Sequence, residues 1–266
     1  MIPQRMRPWL TMGTMKTRGE RLAWITGGGT GIGRALAQRL AAHGWTVVVS
    51  GRRAEPLTET AAQVPGRIHA WPLDVTELEA VRRAVAGIEA AHGPIALAVL
   101  NAGMYQAVKL DNFQAGIFDA HMRVNYMGVV NAMDALLPPM RTRKSGHMVL
   151  VASVAGYRGL PLASAYGPTK AALINLAESC KPLFERAGLK ISVCNPGFVD
   201  TPLTEGNKFP MPFLMDVDEA AAALERGIEN GKFEIAFPTR FVLILKFLRA
   251  LPYFLYFPLI RRTTGR

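Results

Sequence analysis

From Arg21 onward, short apolar runs alternate with longer stretches whose apolar residues recur every three or four positions. Continuous runs of about five apolar residues mark buried strands, and the longer period marks helices. Strands are expected over residues 22–26, 45–50, 68–71, 95–100, 147–152, 190–195 and 233–237. Helices are expected over 34–43, 55–63, 76–91, 113–137, 164–187 and 216–227. Gly44 and Gly188 stand where two of these should stop. Thr76 is placed to cap one start, and Pro138-Pro139 to close the long helix. Strand and helix in alternation predict an α/β fold, one doubly wound parallel sheet with helices on both faces. Ligands of such a sheet bind at the carboxyl ends of its strands.

Composition adds little to that picture, but charge does. The 266 residues are half hydrophobic, which suits one globular domain with a sizeable core. Cys180 and Cys194 make neither a disulfide framework nor a metal site, and point to a reducing compartment. The five histidines lack ligand spacing, so no metal is expected. The net charge of +11 sits in the tails: residues 1–21 carry +4 and residues 238–266 carry +6. The near-neutral body argues against a nucleic-acid partner. Residues 1–20 read as a basic disordered extension, or as sequence upstream of a true start at Met12 or Met15. No signal peptide is expected there.

Ser153, Tyr166 and Lys170 carry the candidate chemistry. Tyr166 and Lys170 are four apart, on one face of a predicted helix. An ammonium beside a phenol favours the phenolate, which would let Tyr166 exchange a proton near neutral pH. Ser153 leaves the end of the preceding strand, where its hydroxyl could hold a substrate oxygen. Thr26-Gly27-Gly28-Gly29-Thr30-Gly31-Ile32-Gly33 joins the first strand to the first helix, the place where a pyrophosphate meets free helix N–H groups. The second strand ends Ser50-Gly51-Arg52-Arg53, with no acid for ribose hydroxyls and two bases for a 2′-phosphate. Asp74-Val75 follows the third strand and Asn101-Ala102-Gly103 the fourth; stabilisation and cofactor contact suit these equally. Asn125 lies inside the long helix among apolar neighbours, a sign of a buried polar task.

Taken together, these residues resemble the short-chain dehydrogenase/reductase family over roughly residues 20–237. The elements come in the family's order: the glycine turn, Asp74, Asn101-Ala102-Gly103, Asn125, Ser153, Tyr166, Lys170, then Pro196-Gly197 and Thr201. The resemblance implies a Rossmann-type domain with Tyr166 as general acid/base. It implies that Lys170 lowers the tyrosine pKa and holds the nicotinamide ribose, that Ser153 orients the substrate oxygen, and that Asn125 holds a relay water. Gly27, Gly29, Thr30, Gly31, Ile32, Gly33, Ser50, Arg52, Arg53, Asp74, Val75, Asn101, Ala102 and Gly103 would bind the cofactor. So would Tyr166, Lys170, Pro196, Gly197, Val199 and Thr201. Pro168, inside Tyr166–Lys170, departs from the family's small residues and is harmless only in a helix's first turn.

The expected function is an NADP(H)-dependent oxidoreductase, preferring NADP(H) to NAD(H), that interconverts a carbonyl and a secondary alcohol on a lipophilic small molecule. Rival readings are a reductase of carrier-linked 3-oxoacyl groups and a silent NADP(H)-binding scaffold. The domain plan is an extension at 1–20, a catalytic domain at 21–237 and an apolar, basic tail at 238–266. Residues 198–215, rich in Pro, Phe and Met, read as a substrate lid or as ordinary loop packing. A homodimer or homotetramer is expected, in the cytoplasm. The tail reads as too interrupted to span a bilayer. Phe241, Leu245 and Leu248 form a stripe, edged by Lys246 and Arg249, that suits peripheral contact of 239–266 with the cytoplasmic face of a membrane, or packing on the pocket or on another subunit.

Overall fold

The structure is a computed structural model that describes residues 21–206 and 210–264; the extension expected at 1–20 lies outside the described residues. Seven runs form strands: β1 (Leu22–Thr26), β2 (Thr46–Gly51), β3 (Ile68–Pro72), β4 (Ile95–Leu100), β5 (His147–Val151), β6 (Lys190–Pro196) and β7 (Glu234–Phe237). They pair in parallel as one sheet in the order β3-β2-β1-β4-β5-β6-β7. β1 is buried along its whole length, because helices cover both faces. Alternate residues feed two cores: Leu22 and Trp24 face one, Ala23 and Ile25 the other.

Around the sheet lie α1 (Gly31–Ala42), α2 (Ala54–Gln63), α3 (Leu78–His92), α4 (Ala115–His121), α5 (Gly128–Arg143), α6 (Tyr166–Arg186) and α7 (Val217–Glu229). Glu225 of α7 is buried and takes Arg39 Nε at 2.8 Å and His43 Nδ1 at 2.6 Å, which ties α7 to α1. Every expected strand is present, with ends shifted by a residue. The helices differ in three places. Thr76 does not cap α3; its N–H and hydroxyl both donate to Asp74 Oδ1 at 2.9 Å, forming a turn before the helix. The long helix is not uniform: a π-helical turn over Met122–Met127 joins α4 to α5. Nor do Pro138 and Pro139 stop it, since α5 runs to Arg143. Met140 is fully buried beyond them, and Arg143 donates to the Ile95 carbonyl at 2.6 Å and to Glu89 at 2.8 Å. These contacts offset the two missing N–H donors. Pro168 falls in the first turn of α6, where a missing N–H costs little.

The tail forms two helices, α8 (Thr239–Ala250) and α9 (Tyr253–Thr264), broken at Leu251-Pro252. Pro258 does not break α9. Phe241, Val242 and Leu245 are buried in the first core, with Leu248 packed against it, so of the two readings of this stripe, lipid contact and packing, it is packing that the inner side of α8 makes. Lys246 is not at a lipid edge either; its ammonium is paired with Glu234. Arg158 fastens the break between the helices. Its Nη1 donates to the carbonyls of Leu248, Arg249 and Leu251 at 2.6–2.9 Å, and its guanidinium lies 3.9 Å from the Tyr256 ring centroid. Tyr256 in turn donates to the Gly159 carbonyl at 2.5 Å. Among the described residues no helix is long and apolar enough to cross a membrane.

Arg158→Ala leaves those carbonyls without their donor. It should lower stability by about 1.5–3 kcal/mol, the range for hydrogen bonds to a charged group. Thermal melts should show the loss, and limited proteolysis should cut first near the Leu251-Pro252 break.

Candidate active site

β1 sits between β2 and β4, so the chain leaves its carboxyl end at the point where strand order reverses, and a crevice opens there. A clasp shapes that crevice. Thr26 Oγ1 accepts the N–H groups of Asn101 and Ala102 at 3.0 and 3.1 Å. Asn101 Nδ2 donates to the Thr26 and Gly27 carbonyls, both at 3.1 Å. From the other side, the Ser50 carbonyl accepts from Gly27 N–H at 2.7 Å and Gly28 N–H at 3.2 Å. Gly27 has φ +67, and a Cβ there would lie 2.9 Å from Ala102 Cα, so glycine alone fits. At Gly33 an added Cβ would come within 2.4 Å of the Gly27 carbonyl oxygen, so this glycine lets α1 press against the turn.

The crevice holds two cavities of about 430 and 180 Å³ that share Gly27, Thr30, Arg53 and Gly103. All residues expected at the cofactor line one or the other except Gly33 and Ser50. Gly33 acts through packing. Ser50 is fully buried in the sheet, where its hydroxyl accepts the Trp24 indole N–H at 3.0 Å; the pleat points its side chain away from the crevice. Gly51 lines the smaller cavity instead, beside Arg52, Arg53 and Asp74. The residues suit a dinucleotide. The first turn of α1 carries no side-chain cap on its N–H groups, and the glycines leave the backbone bare along the groove.

Ser153, Tyr166 and Lys170 come together in the larger cavity. Ser153 Oγ accepts from Ala155 N–H at 3.1 Å, donates to the Pro196 carbonyl at 3.4 Å, and lies near enough to the Tyr166 phenol to pull its pKa down. Lys170 is buried, donates to the Val151 carbonyl at 2.8 Å and lies 5.4 Å from the Tyr166 ring centroid. The electrostatics depart from expectation. Enclosure by protein raises the Tyr166 phenol to about 12, against the lowering effect of Ser153. Burial also lowers Lys170 to about 8. The lysine does not bring the phenol down, because its ammonium is aimed at Val151 and is itself penalised by burial. Asn125 is also placed differently. It is fully buried, its Oδ1 accepts from Met104 N–H at 2.7 Å, and its Nδ2 donates to the Met104 carbonyl at 3.0 Å and Thr169 Oγ1 at 3.2 Å. Its side chain is occupied in holding the loop after β4 to α6.

Arg34 and Tyr105 were not foreseen in the site; Phe198 belongs to the expected lid, and Phe241 to the tail for which packing on the pocket was one reading. Arg34 Nε donates to the Gly29 carbonyl at 2.8 Å and to Thr60 Oγ1 at 3.0 Å, pinning the glycine turn. A base in the first turn of a helix opposes the dipole, a signal readable in sequence. Tyr105 meets the Tyr166 ring edge-on at 5.3 Å between centroids. Phe198 and Phe241 line the cavity and stack at 5.5 Å. No local pattern could bring Phe241 here from the far end of the chain.

Comparison with known proteins agrees with this geometry. The short chain dehydrogenase family model matches residues 21–209, and the chain belongs to that family. An uncharacterized oxidoreductase of Myxococcus xanthus is 35% identical over 239 residues, covering 87% of this chain and 93% of the relative. A short-chain dehydrogenase structure from Streptomyces avermitilis superposes with a TM-score of 0.78 at 27% identity, covering 87% of this chain and 92% of the other. Levodione reductase superposes with a TM-score of 0.74 at 26% identity, covering 81% and 94%. The protein is therefore an NAD(P)-dependent oxidoreductase with a Rossmann-type fold, acting on small molecules.

The lowered Lys170 gives a pH signature. Between about 8 and 10.5 the folded lysine has released its proton while the unfolded one retains it, so folding stability rises with pH. Lys170→Met removes that rise. The difference in melting temperature between the two proteins, followed across this window without cofactor, should shift in favour of wild type as pH increases. A constant difference would contradict a buried, depressed lysine.

Proposed function

We propose that the protein is an NADP(H)-preferring reductase of lipophilic carbonyl compounds, interconverting a ketone or aldehyde with the corresponding alcohol. One observation carries the reading: Ser153, Tyr166 and Lys170 together line an apolar cavity that opens onto the glycine-lined groove. A substrate oxygen beside Ser153 and Tyr166 accepts from both hydroxyls. A bound nicotinamide supplies the hydride. Tyr166 gives its proton to the oxygen; a phenol raised to about 12 is fully protonated at neutral pH, which favours the reductive direction. Lys170, lowered to about 8, is the neighbouring group able to restore that proton near neutrality. In this reading its Nζ also holds the nicotinamide ribose. Asn125 acts by position, fixing Met104 and Thr169, and with them the loop that carries Tyr105.

Cofactor preference rests on Arg52 and Arg53. Both are exposed beside the smaller cavity, and neither forms an ion pair among the described residues. They are available to a 2′-phosphate, and β2 ends without the acid that would repel one. The remaining cofactor contacts follow from the lining of the groove by Gly27, Thr30, Gly31, Ile32, Pro196, Gly197, Val199 and Thr201. The cavity walls, with Leu160, Phe198, Leu203 and Phe241, favour an apolar substrate. A homodimer or homotetramer and peripheral contact of the tail with a membrane complete the reading.

NADPH and NADH oxidation over a panel of ketones and aldehydes tests it. Tyr166→Phe should lower turnover by about 10²–10⁴-fold, the usual worth of a positioned general acid. NADPH affinity should remain, since the phenol acts on substrate oxygen; retained turnover would refute the role.

The same panel checks cofactor choice. Arg52→Ala should weaken NADPH and spare NADH. Gly51→Asp should move preference toward NADH, and a Cβ at Gly51 meets only Leu57 Cδ2 at 3.7 Å, so the acid fits. A wild type that uses both cofactors equally would remove the assignment.

A further inference from the structure

The tail helices have a second apolar side. On α8, Leu243, Ile244 and Phe247 point away from the core, and Phe247 is 64% exposed. On α9, Phe254 is 74% exposed and Phe257 53%. Exposed aromatic and aliphatic side chains grouped this way mark a contact surface. Arg240, Arg249, Arg261 and Arg262 lie exposed on the same two helices. None of them forms an ion pair among the described residues, and no acid occurs in 238–266. A second copy seated face to face would set like charge against like. Anionic lipid satisfies both components, acyl chains taking the apolar side chains and headgroups the guanidinium groups.

The same helices shape the catalytic cavity. Phe241, on the inner side of α8, lines it and stacks on Phe213, with centroids 5.7 Å apart. Phe213 is itself partly exposed, as is Leu203 at the cavity wall. Apolar side chains therefore stand between the surface beside α8 and the cavity. Leu160 and Pro161, also in the cavity lining, follow the Arg158–Gly159 segment that grips α8 and α9.

We propose that the outer side of α8 and α9 seats on an anionic bilayer, with Leu203 and Phe213 beside it, and that the carbonyl substrate is a lipophilic molecule drawn from the lipid phase. The substrate half rests on the carbonyl-reductase reading above; the seat on the membrane does not.

The test combines vesicle flotation with turnover. A variant carrying Leu243→Ser, Phe247→Ser and Phe254→Ser keeps every residue of the cavity and of the inner stripe. Wild type should float with phosphatidylglycerol vesicles and much less with phosphatidylcholine vesicles. The variant should lose more than about ten-fold in binding, because three apolar side chains no longer reach the acyl region. NADPH-dependent reduction of a long-chain methyl ketone embedded in the phosphatidylglycerol vesicles should fall with it. Reduction of cyclohexanone dissolved in buffer should not change. Wild type that stays unbound would overturn the seat, as would a variant whose main effect is to dissociate an oligomer during size-exclusion chromatography. Equal rates for both proteins on the embedded ketone would overturn loading from lipid. Vesicle binding without reduction of either ketone would support the seat and overturn the substrate class, a failure of the reductase reading and not of the surface.

Discussion

The clasp between Thr26 and Asn101 is the constraint on which the site depends. Two side chains at the ends of adjacent strands satisfy each other's backbone at the one place where the sheet's order reverses. The crevice needs that. Parallel strands end in free carbonyl and N–H groups, and a cleft lined by them would be costly unless paired. Thr26 and Asn101 use these groups up across the β1–β4 junction, while the Ser50 carbonyl and Arg34 do so across β1–β2 and the glycine turn. What remains unpaired faces the groove: the first-turn N–H groups of α1. Anion-binding capacity is thus the residue left after everything else has found a partner.

This explains what could be read from the chain. Strands buried on both faces must be apolar at every position, so 22–26 and 95–100 announce themselves. The chemistry-bearing residues were legible because they follow strand ends or share a helix face, as Ser153, Tyr166 and Lys170 do. Contacts between distant segments were not legible. Pro138-Pro139 is a stop signal locally, yet Met140 has a place in the core and Arg143 has Glu89 and Ile95 across the gap. Ser50 and Gly51 differ by one position, and the pleat decides which meets the cavity; only the register of β2 against β1 fixes that.

The electrostatics of the site follow from burial more than from pairing. A lysine four residues from a tyrosine suggests a lowered phenol in isolation. In the folded protein Lys170 is buried and Tyr166 half-buried at the cavity wall, and burial disfavours the charged form of each. The phenol is therefore held protonated, beside a lysine whose pKa burial lowers to about 8. A protonated phenol can donate to an oxygen that gains negative charge, where a phenolate would repel it. The Ser153 hydroxyl works the other way on the phenol, and so keeps the proton transferable.

The tail shows why an amphipathic stripe does not by itself name its environment. α8 is apolar on two sides, and sequence pattern alone left Phe241, Leu245 and Leu248 as a stripe for lipid or for packing. Those residues instead close the first core and the cavity, because β7 and the Phe198 loop leave an apolar surface that nothing nearer in the chain can cover. Lys246, which broke the pattern, is what fastens the helix there through Glu234. Once the inner side is assigned, Leu243, Ile244 and Phe247 have no remaining use within the described body. A helix apolar all round belongs in a core or at an interface with something apolar. Here one side is in the core, and the other carries exposed apolar side chains beside an acid-free run of bases.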